Sequence, residues 1–433
     1  MYADPRLCAV RTLVEVLGAG RSLSQSLPPQ LAGLTVARDR ALAQALAYGV
    51  LRWWPQLVEV LNGLVRHRPK RQATEVTAIL ATGLFQLLHL RVPPHAAVAT
   101  SVEIARRLGC GWASGLINAV LRTFLRDPEG CMARYGGEAA RHAHPAWMHL
   151  AILAAWPEDW EALLEANNRV APMTLRVNLR RISRGDYVRR LHEHGLSAEP
   201  GAYAPASLVL ERPVEAGTLP GFAHGLVSVQ DQAAQLAAPL LDPRPRQRLL
   251  DACAAPGGKL THVLELCPGL AEVIALDSDA GRLPRLDENL RRLQQAATVI
   301  RADAGDPTLW WDGRLFDRIL LDAACSGTGV LRRHPDLKLL RRAADVPVLA
   351  AAQRRLLDAL WPLLARTGKL LYATCSILPG ENRSLIRDFL ARHGDAEALP
   401  ISADWGRDQG PGRQILTGES AMDGFFYALI RKR

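Results

Sequence analysis

The stretch LDACAAPGGKL, Leu250 to Leu260, decides the fold. An apolar lead-in (Leu249, Leu250) runs into an acid and then small residues. Pro256-Gly257-Gly258-Lys259 and a helix-compatible continuation to Leu266 come next. This is how the first strand of a doubly wound α/β sheet feeds a glycine-rich turn that opens a helix. Such a turn lets backbone approach a ligand closely and presents the free N–H groups of a helix N-terminus to it. It is not a phosphate-binding P-loop: GxxxxGK[ST] cannot be fitted, because Gly257 and Gly258 adjoin and Leu260 follows the lysine. Two adjacent glycines after a strand are common, so the assignment rests on the ends of the later strands.

From Arg248 onward, strands and helices alternate. The expected strands are Leu249–Ala252, Glu272–Leu276, Thr298–Arg301, Arg318–Asp322 and Lys369–Ala373, with a closing apolar strand from Gly424 to Ile430. Amphipathic helices, including Asp279 to Gln295 and Pro347 to Leu364, lie between them. The pattern predicts a Rossmann-like parallel sheet covered on both faces. Open sheets of this kind bind ligands outside the carboxyl ends of their strands. Those ends carry Asp251, Asp277, Asp303, Asp322 and Cys375. Asp277 lies 26 residues beyond Asp251, where an acid can hold a ribose diol, and Asp303 is placed to accept from an adenine amino group. A nicotinamide enzyme would use the same ribose acid, but its G-x-G-x-x-G signature is absent. A single Asp after a strand is usually a turn residue. Recurrence at successive strand ends makes an adenosine-type ligand the better reading.

Upstream, the chain divides into two further parts. Residues 1 to about 125 read as all-helical, opening on an Asp4 N-cap with Pro5 at the first helical position and Leu7, Val10, Val14 and Leu17 on one face. Helical patterns continue from Arg38 to Trp53, Pro55 to Val65, Thr74 to Leu90, Ala96 to Leu108 and Ser114 to Leu125. RHRPKR (Arg66 to Arg71) reads as a basic inter-helix loop, either gripping phosphates or simply a solvated turn, with the sign of the whole domain favouring the first. Trp53 and Trp54 are read as bundle packing in preference to base stacking. Asp127 to His149 reads as a solvated connector, in which His142, His144 and His149 have no Cys or carboxylate at ligand spacing and so suggest no metal. A β-α-β-β module succeeds it, with strands at TLRVNL (from Thr174), SLVLE (from Ser207) and LVSVQD (from Leu226) and a helix from Ser183 to His194. Arg176, Arg180, Arg181 and Arg184 give this small α+β domain a basic edge, either toward a substrate backbone or simply toward solvent. The expected domains are 1–130, 145–235 and 236–433.

Composition narrows the partners. Of the 433 residues, 48% are hydrophobic and 22% charged, as in ordinary globular proteins, and the net charge is +10. Residues 1–150 hold 17 Lys+Arg against 9 Asp+Glu, so this third carries +8 of it. A biased genome explains the preference for arginine over lysine but not the excess of base over acid; a nucleic-acid partner explains the excess. Seven cysteines without a CxxC pair support neither a disulfide framework nor a zinc site. MYADPRLC lacks a basic-then-apolar signal, and the apolar run Ala78 to Leu90 is too short to span a bilayer. The expectation is a cytoplasmic monomer that binds no membrane.

DAACSGTG (Asp322 to Gly329) and ATCS (Ala373 to Ser376) each place a cysteine, Cys325 and Cys375, just beyond an apolar strand over the expected ligand pocket. Buried cysteines are ordinarily small hydrophobes, which suits Cys8, Cys110, Cys131 and Cys267. It suits poorly two cysteines on polar turns flanked by Ser and Gly.

With these motifs the resemblance becomes specific. DACAAPGGK, LDSDAGRL, DAACSGTG, YATCS with ILPGEN, and terminal DGFFYALIRK resemble the RNA 5-methylcytosine methyltransferases that use S-adenosylmethionine. DRALAQALAYGVLRWWPQL (from Asp39), VPPHAAVATSVEIAR (from Val92) and GLINAVLR (from Gly115) resemble the helical RNA-binding domain of the NusB type. Together they look like the bacterial 16S rRNA cytosine-5 methyltransferases of the Sun/Fmu type, over nearly the full length. One departure is Ala324, where that family usually has proline before the first cysteine.

Carbon 5 of cytosine is too weak a nucleophile to take a methyl group directly, and a thiolate added at carbon 6 activates it. Carbon-5 methylation therefore needs a nucleophilic cysteine, a group hydrogen-bonding the ring, and help with elimination. Residue chemistry alone does not say which cysteine attacks. The resemblance implies Cys375 as nucleophile, Cys325 assisting proton removal and product release, Asp322 holding the ring, and Lys259 beside the pocket, where a cation favours thiolate. It further implies that Cys253, Ala254, Ala255, Pro256, Gly257, Gly258 and Lys259, with Asp277, Asp303 and Asp322, bind S-adenosylmethionine. Gln230-Asp231 would lie beneath it, and Cys253 would contribute only backbone. No metal is expected. The implied partner is 16S rRNA or an early small-subunit particle. The competing readings are a transfer-RNA cytosine-5 methyltransferase and a non-catalytic RNA-binding assembly factor. The helical domain argues against the first, and retention of both cysteines and all the acids argues against the second.

Overall fold

A computed structural model describes residues 4–65, 73–137 and 141–433. The RHRPKR run lies outside the described residues. By contacts the chain forms two compact units, Met1–Arg169 with Leu331–Ala343, and Val170–Val330 with Ala344–Arg433.

The first unit is helical, and its opening obeys local chemistry. Asp4 accepts from the Arg6 N–H at 2.9 Å and Pro5 takes the first helical position of Pro5–Ala19. Helices Ala37–Arg52, Trp54–Leu64, Ala73–His89, Pro94–Arg107 and Ser114–Arg126 fall where the apolar periodicity put them. Their inner faces bury Leu46, Leu51, Leu57, Ile79, Leu84, Ile117 and Leu121 completely. Gly49 lets two helices touch: a Cβ there would stand 2.0 Å from the Phe85 ring. Trp54 is buried in this core, and Trp53 stacks on His89 at 4.4 Å.

Some helices of this unit were not anticipated. Leu23–Leu31 contains Pro28 and Pro29, and Leu23, Ser26 and Leu27 bury one face of it. Pro128–Tyr135 and Ala146–Ala155 occupy the stretch expected to be a solvated connector. That expectation is corrected at the histidines: His144 and His149 are buried, and burial holds the His144 imidazole well below its usual pKa. Leu331–Ala343, which continues the chain beyond the Cys325 turn, packs within this unit. Its Asp336 accepts from the Leu23 N–H at 3.0 Å, and its buried Lys338 donates to the carbonyls of Arg52 and Ala143, each at 3.0 Å.

The second unit carries two sheets. The smaller contains β1 (Thr174–Val177), β2 (Ala198–Pro200), β3 (Ser207–Leu210) and β4 (Val227–Val229), antiparallel in the order β2-β3-β1-β4. The helix Arg184–Glu193, N-capped by Ser183, covers it through Tyr187 and Leu191. β2 is short and ends on proline, so it carries little strand signal.

The larger sheet is built from β5 (Arg248–Asp251), β6 (Glu272–Asp277), β7 (Thr298–Arg301), β8 (Phe316–Asp322), β9 (Leu364–Thr374), β10 (Ala396–Leu399), β11 (Arg407–Asp408), β12 (Arg413–Ile415) and β13 (Phe425–Lys432). Its order is β11-β12-β13-β9-β8-β5-β6-β7, with β10 also on β13. The five strands β9-β8-β5-β6-β7 are parallel, as their apolar runs require. The parallel expectation fails beyond β9: β13 returns antiparallel, β10 and β12 join it antiparallel, and β11 pairs antiparallel with β12. Among the described residues, no helix is long and apolar enough to cross a membrane.

The basic-edge reading of the small domain also needs correction. Arg176 is fully buried and forms an ion pair with Glu265 at 2.7 Å. It also donates to the Gln230 side chain, the Gly258 carbonyl and the Thr261 hydroxyl. It thus ties β1 to the helix Gly258–Leu266. Arg181 donates to the Leu293 carbonyl and Gln294 side chain, both at 2.9 Å.

Breaking a buried pair on one side leaves an uncompensated charge, at a cost of about 3–5 kcal/mol. Arg176→Met is expected to lower unfolding free energy by that order in a denaturant titration, and Arg176→Met with Glu265→Leu to restore most of it. Equal stability of both variants and the parent would show the pair to be inert.

Candidate active site

The strand order reverses between β5 and β8, since β6 and β7 lie to one side of β5 and β8 and β9 to the other. A crevice opens at such a switch point beyond the carboxyl ends. β5 delivers Asp251 and the glycine turn there, and β8 delivers Asp322.

The turn is shaped by Gly257, whose φ of +97° favours glycine and where a Cβ would meet Leu286 Cδ1 at 2.7 Å. The helix Gly258–Leu266 begins next, with Lys259 in its first turn. Lys259 Nζ donates to Asp322 Oδ2 at 2.7 Å and lies 4.8 Å above the Phe425 ring on β13. The lysine charge is therefore paired with Asp322, an addition to its expected place beside a thiolate.

Asp251 is almost completely buried, with Oδ1 lacking a hydrogen-bond partner. Burial, reinforced by the neighbouring Asp322 charge, pushes its pKa up to about 8. Asp277 is also buried: its carboxylate accepts from the N–H groups of Ala255 (3.1 Å) and Asp279 (2.9 Å). Asp303 is exposed and held by Arg355 through contacts of 2.9 and 3.1 Å, a partner that sequence spacing did not suggest. Gln230 is committed to Arg176, and Asp231 caps its own helix by accepting from Ala233 N–H at 2.9 Å. Burial first, then Asp251, Asp322 and Asp277, push the Cys253 thiol far up, against thiolate formation.

The two turn cysteines converge. Asp322 on β8 lies opposite Ala373 on β9, and each chain turns just beyond that point. Cys325 Sγ and Cys375 Sγ stand 3.4 Å apart, with Cys325 buried and Cys375 partly exposed. Contact with the Cys375 sulfur, then burial, then the Glu381 charge hold the Cys325 pKa well above the ordinary thiol value. Ala324, where proline was expected, has its carbonyl held by Gln353 Nε2 at 2.8 Å.

Glu381 is the residue that residue-level reading passed over. It is completely buried and accepts from Ser326 N–H (2.8 Å), Ser326 Oγ (2.6 Å), Ser376 Oγ (2.6 Å) and Gln353 Nε2 (3.2 Å). Its only sequence signal was membership of ILPGEN. Among the described residues, no group of three or more His, Cys, Asp or Glu could hold a metal ion.

Two features would accept a ligand such as S-adenosylmethionine: the buried Asp251 Oδ1 has no hydrogen-bond partner, and the Gly257 turn leaves backbone approachable.

Because the Asp251 pKa is raised on folding, its stabilising contribution is full below pH ~4 and is lost as pH rises through about 8. Asp251→Asn keeps an acceptor and cannot ionise. The stability of the variant relative to the parent is expected to rise between pH 5 and pH 8, by a few kcal/mol in order of magnitude. A difference independent of pH would show that this carboxyl does not take up a proton on folding.

Comparison with known proteins shows the family of the chain. A model described as "16S rRNA methyltransferase RsmB/F" matches residues 238–431, the ferredoxin-like domain of RsmF/B-like methyltransferases matches 144–216, and the NusB family matches 3–126. "Ribosomal RNA small subunit methyltransferase B" of Pseudomonas putida is 49% identical over 430 residues, covering 99% of this chain and 98% of its own. The protein of the same name from Vibrio cholerae is 47% identical, covering 99% and 97%. Among solved structures, "PH0851" superposes with a TM-score of 0.85 at 22% identity, covering 98% of this chain and 99% of its own. A methyltransferase homologue from Pyrococcus horikoshii gives 0.59 at 28% identity, covering 70% and 97%. With identities of this size over essentially the whole length, the chain belongs to the ribosomal RNA small subunit methyltransferase B family and is an rRNA methyltransferase.

Proposed function

We propose that this protein methylates carbon 5 of a cytosine in 16S ribosomal RNA, with S-adenosylmethionine as donor, through a covalent Cys375–cytosine intermediate. The observation that carries this reading is the 3.4 Å approach of two thiols beside the Lys259–Asp322 pair at one end of the sheet. A methyltransferase acting on a nitrogen or a ribose oxygen has no use for two cysteines there.

The chain's own residues divide the work. Addition requires Cys375 as the thiolate, with a proton left on Cys325 across the 3.4 Å contact, in which either sulfur can be the donor. The Cys375 thiolate adds to carbon 6, and the ring electrons move onto carbon 5 while the Asp322–Lys259 pair binds the ring edge. When bound, S-adenosylmethionine supplies an electrophilic methyl group. Once Cys375 is bonded to carbon it no longer accepts from Cys325, which can release its proton to solvent. Cys325 then takes the proton from carbon 5 as the Cys375–carbon 6 bond breaks. One proton is released per methyl transferred. The cytosine must be single-stranded or flipped, since carbon 6 is inaccessible in a stacked duplex.

The glycine turn (Cys253 to Lys259), with Asp251, Asp277 and, at the far edge, Asp303, would hold the donor. The basic first third of the chain would grip phosphates, on naked 16S rRNA or an early small-subunit particle, with the protein acting as a cytoplasmic monomer.

Labelled methyl transfer to unmodified 16S rRNA tests this. Cys375→Ala is expected to lose activity by roughly 10³-fold or more. Cys325→Ala is expected to leave a protein–RNA species that survives denaturing electrophoresis. Full turnover by Cys375→Ala would refute the assigned roles. Bisulfite sequencing of rRNA from cells lacking the protein would show one unprotected cytosine if the reading holds, and none if it does not.

A further inference from the structure

We propose that Glu381 is a positioning residue that sets the approach of Cys325 to Cys375 needed for release of the methylated base; this rests on the cytosine-5 reading above. Each active-site cysteine is followed by a serine, and Glu381 holds both. Its Oε2 accepts from Ser326 Oγ and Ser376 Oγ, each at 2.6 Å, and its Oε1 accepts from the Ser326 N–H at 2.8 Å. One carboxylate therefore fastens the turn after β8 to the turn after β9, on the residues immediately following the two thiols.

The surrounding bonds rigidify the same point. Gln353 donates to Glu381 Oε1 at 3.2 Å and to the carbonyl of Ala324, the residue before Cys325, at 2.8 Å. The Tyr372 hydroxyl donates to the Glu381 carbonyl at 2.7 Å. The Gly329 N–H donates to the Cys375 carbonyl at 2.9 Å. Cys325 is thus held on both sides by groups that meet at Glu381.

The four groups facing the carboxylate oxygens are all donors. An amide there keeps one acceptor and turns the other into a donor, aimed either at two hydroxyls or at an N–H and the Gln353 amide. The hydroxyls can turn to accept from an amide N–H, but bonds to a charged carboxylate become neutral ones of about half the strength, and the two turns are held more loosely. Displacement of about 1 Å from a reactive geometry costs on the order of 10²-fold in rate. Addition at carbon 6 needs Cys375 alone, so it should survive; elimination needs both sulfurs, so it should suffer.

Glu381→Gln is accordingly expected to lower kcat about 10- to 100-fold, while the Kd for S-adenosylmethionine and the melting temperature stay close to the parent. A denaturation-resistant RNA adduct should accumulate during turnover. Ser326→Ala, which removes one donor from the Cys325 side only, should give the same signature in weaker form and keeps the proposal testable should Glu381→Gln not fold. Parental kcat with no adduct in Glu381→Gln would overturn the proposal. So would a parallel fall of activity, donor affinity and melting temperature, with no adduct in Ser326→Ala. If the parent itself transfers no methyl group to cytosine, the cytosine-5 reading fails instead.

Discussion

Two thiols meet because β8 and β9 run parallel and in register. Asp322 pairs across from Ala373, so the chains leave the sheet at the same end and turn over the same edge. Neighbouring strands are about 4.8 Å apart, and side chains on matching turns beyond them fall within contact distance. Cys325 Sγ and Cys375 Sγ stand 3.4 Å apart for that reason. An antiparallel pairing would have sent the turns to opposite ends. Although 50 residues apart in the chain, the two cysteines stand in direct contact.

The same sheet places the remaining chemistry. Reversal of strand order between β5 and β8 opens the crevice beside that contact, and the Lys259–Asp322 pair spans it at 2.7 Å. Acids continue outward along the strand ends, from buried Asp251 and Asp277 to exposed Asp303. The small antiparallel domain contributes from behind. Its buried Arg176 bonds the Gly258 carbonyl and pairs with Glu265, so the glycine turn is braced by a residue of β1. Buried ion pairs add little net stability but resist displacement, since moving one partner strands the other.

Much of this was legible because the relevant signals are local. Apolar runs ending in an acid marked β5 to β8 to within two residues, and DAACSGTG and ATCS located both turns. Other features escaped for identifiable reasons. β10 to β12 are two to four residues long, and Arg407-Asp408 in β11 is polar, so no alternation can be seen. Arg176 stands near Arg180 and Arg181 and reads as surface, because its partner Glu265 is 89 residues away. His144 and His149 read as solvated because Pro and Gly surround them, yet both are buried, with Asn167 beside His144 and the Trp160 ring against His149. Glu381 gave no residue-level signal: its donors come from positions 326, 353 and 376, which only the fold assembles.

The central claim is that Cys375, of the two convergent thiols, bonds to the base. Its most direct measurement uses small-subunit rRNA in which cytosines carry fluorine at carbon 5, so that elimination is blocked after methyl transfer. Incubation with S-adenosylmethionine, then trypsin and mass spectrometry, separates the candidates, because Cys375 and Cys325 lie in different tryptic peptides, 370–383 and 319–332. The account predicts a methylated fluorocytosine nucleotide on the first peptide and none on the second. A nucleotide on the 319–332 peptide, or methylated RNA with neither peptide modified, would contradict it.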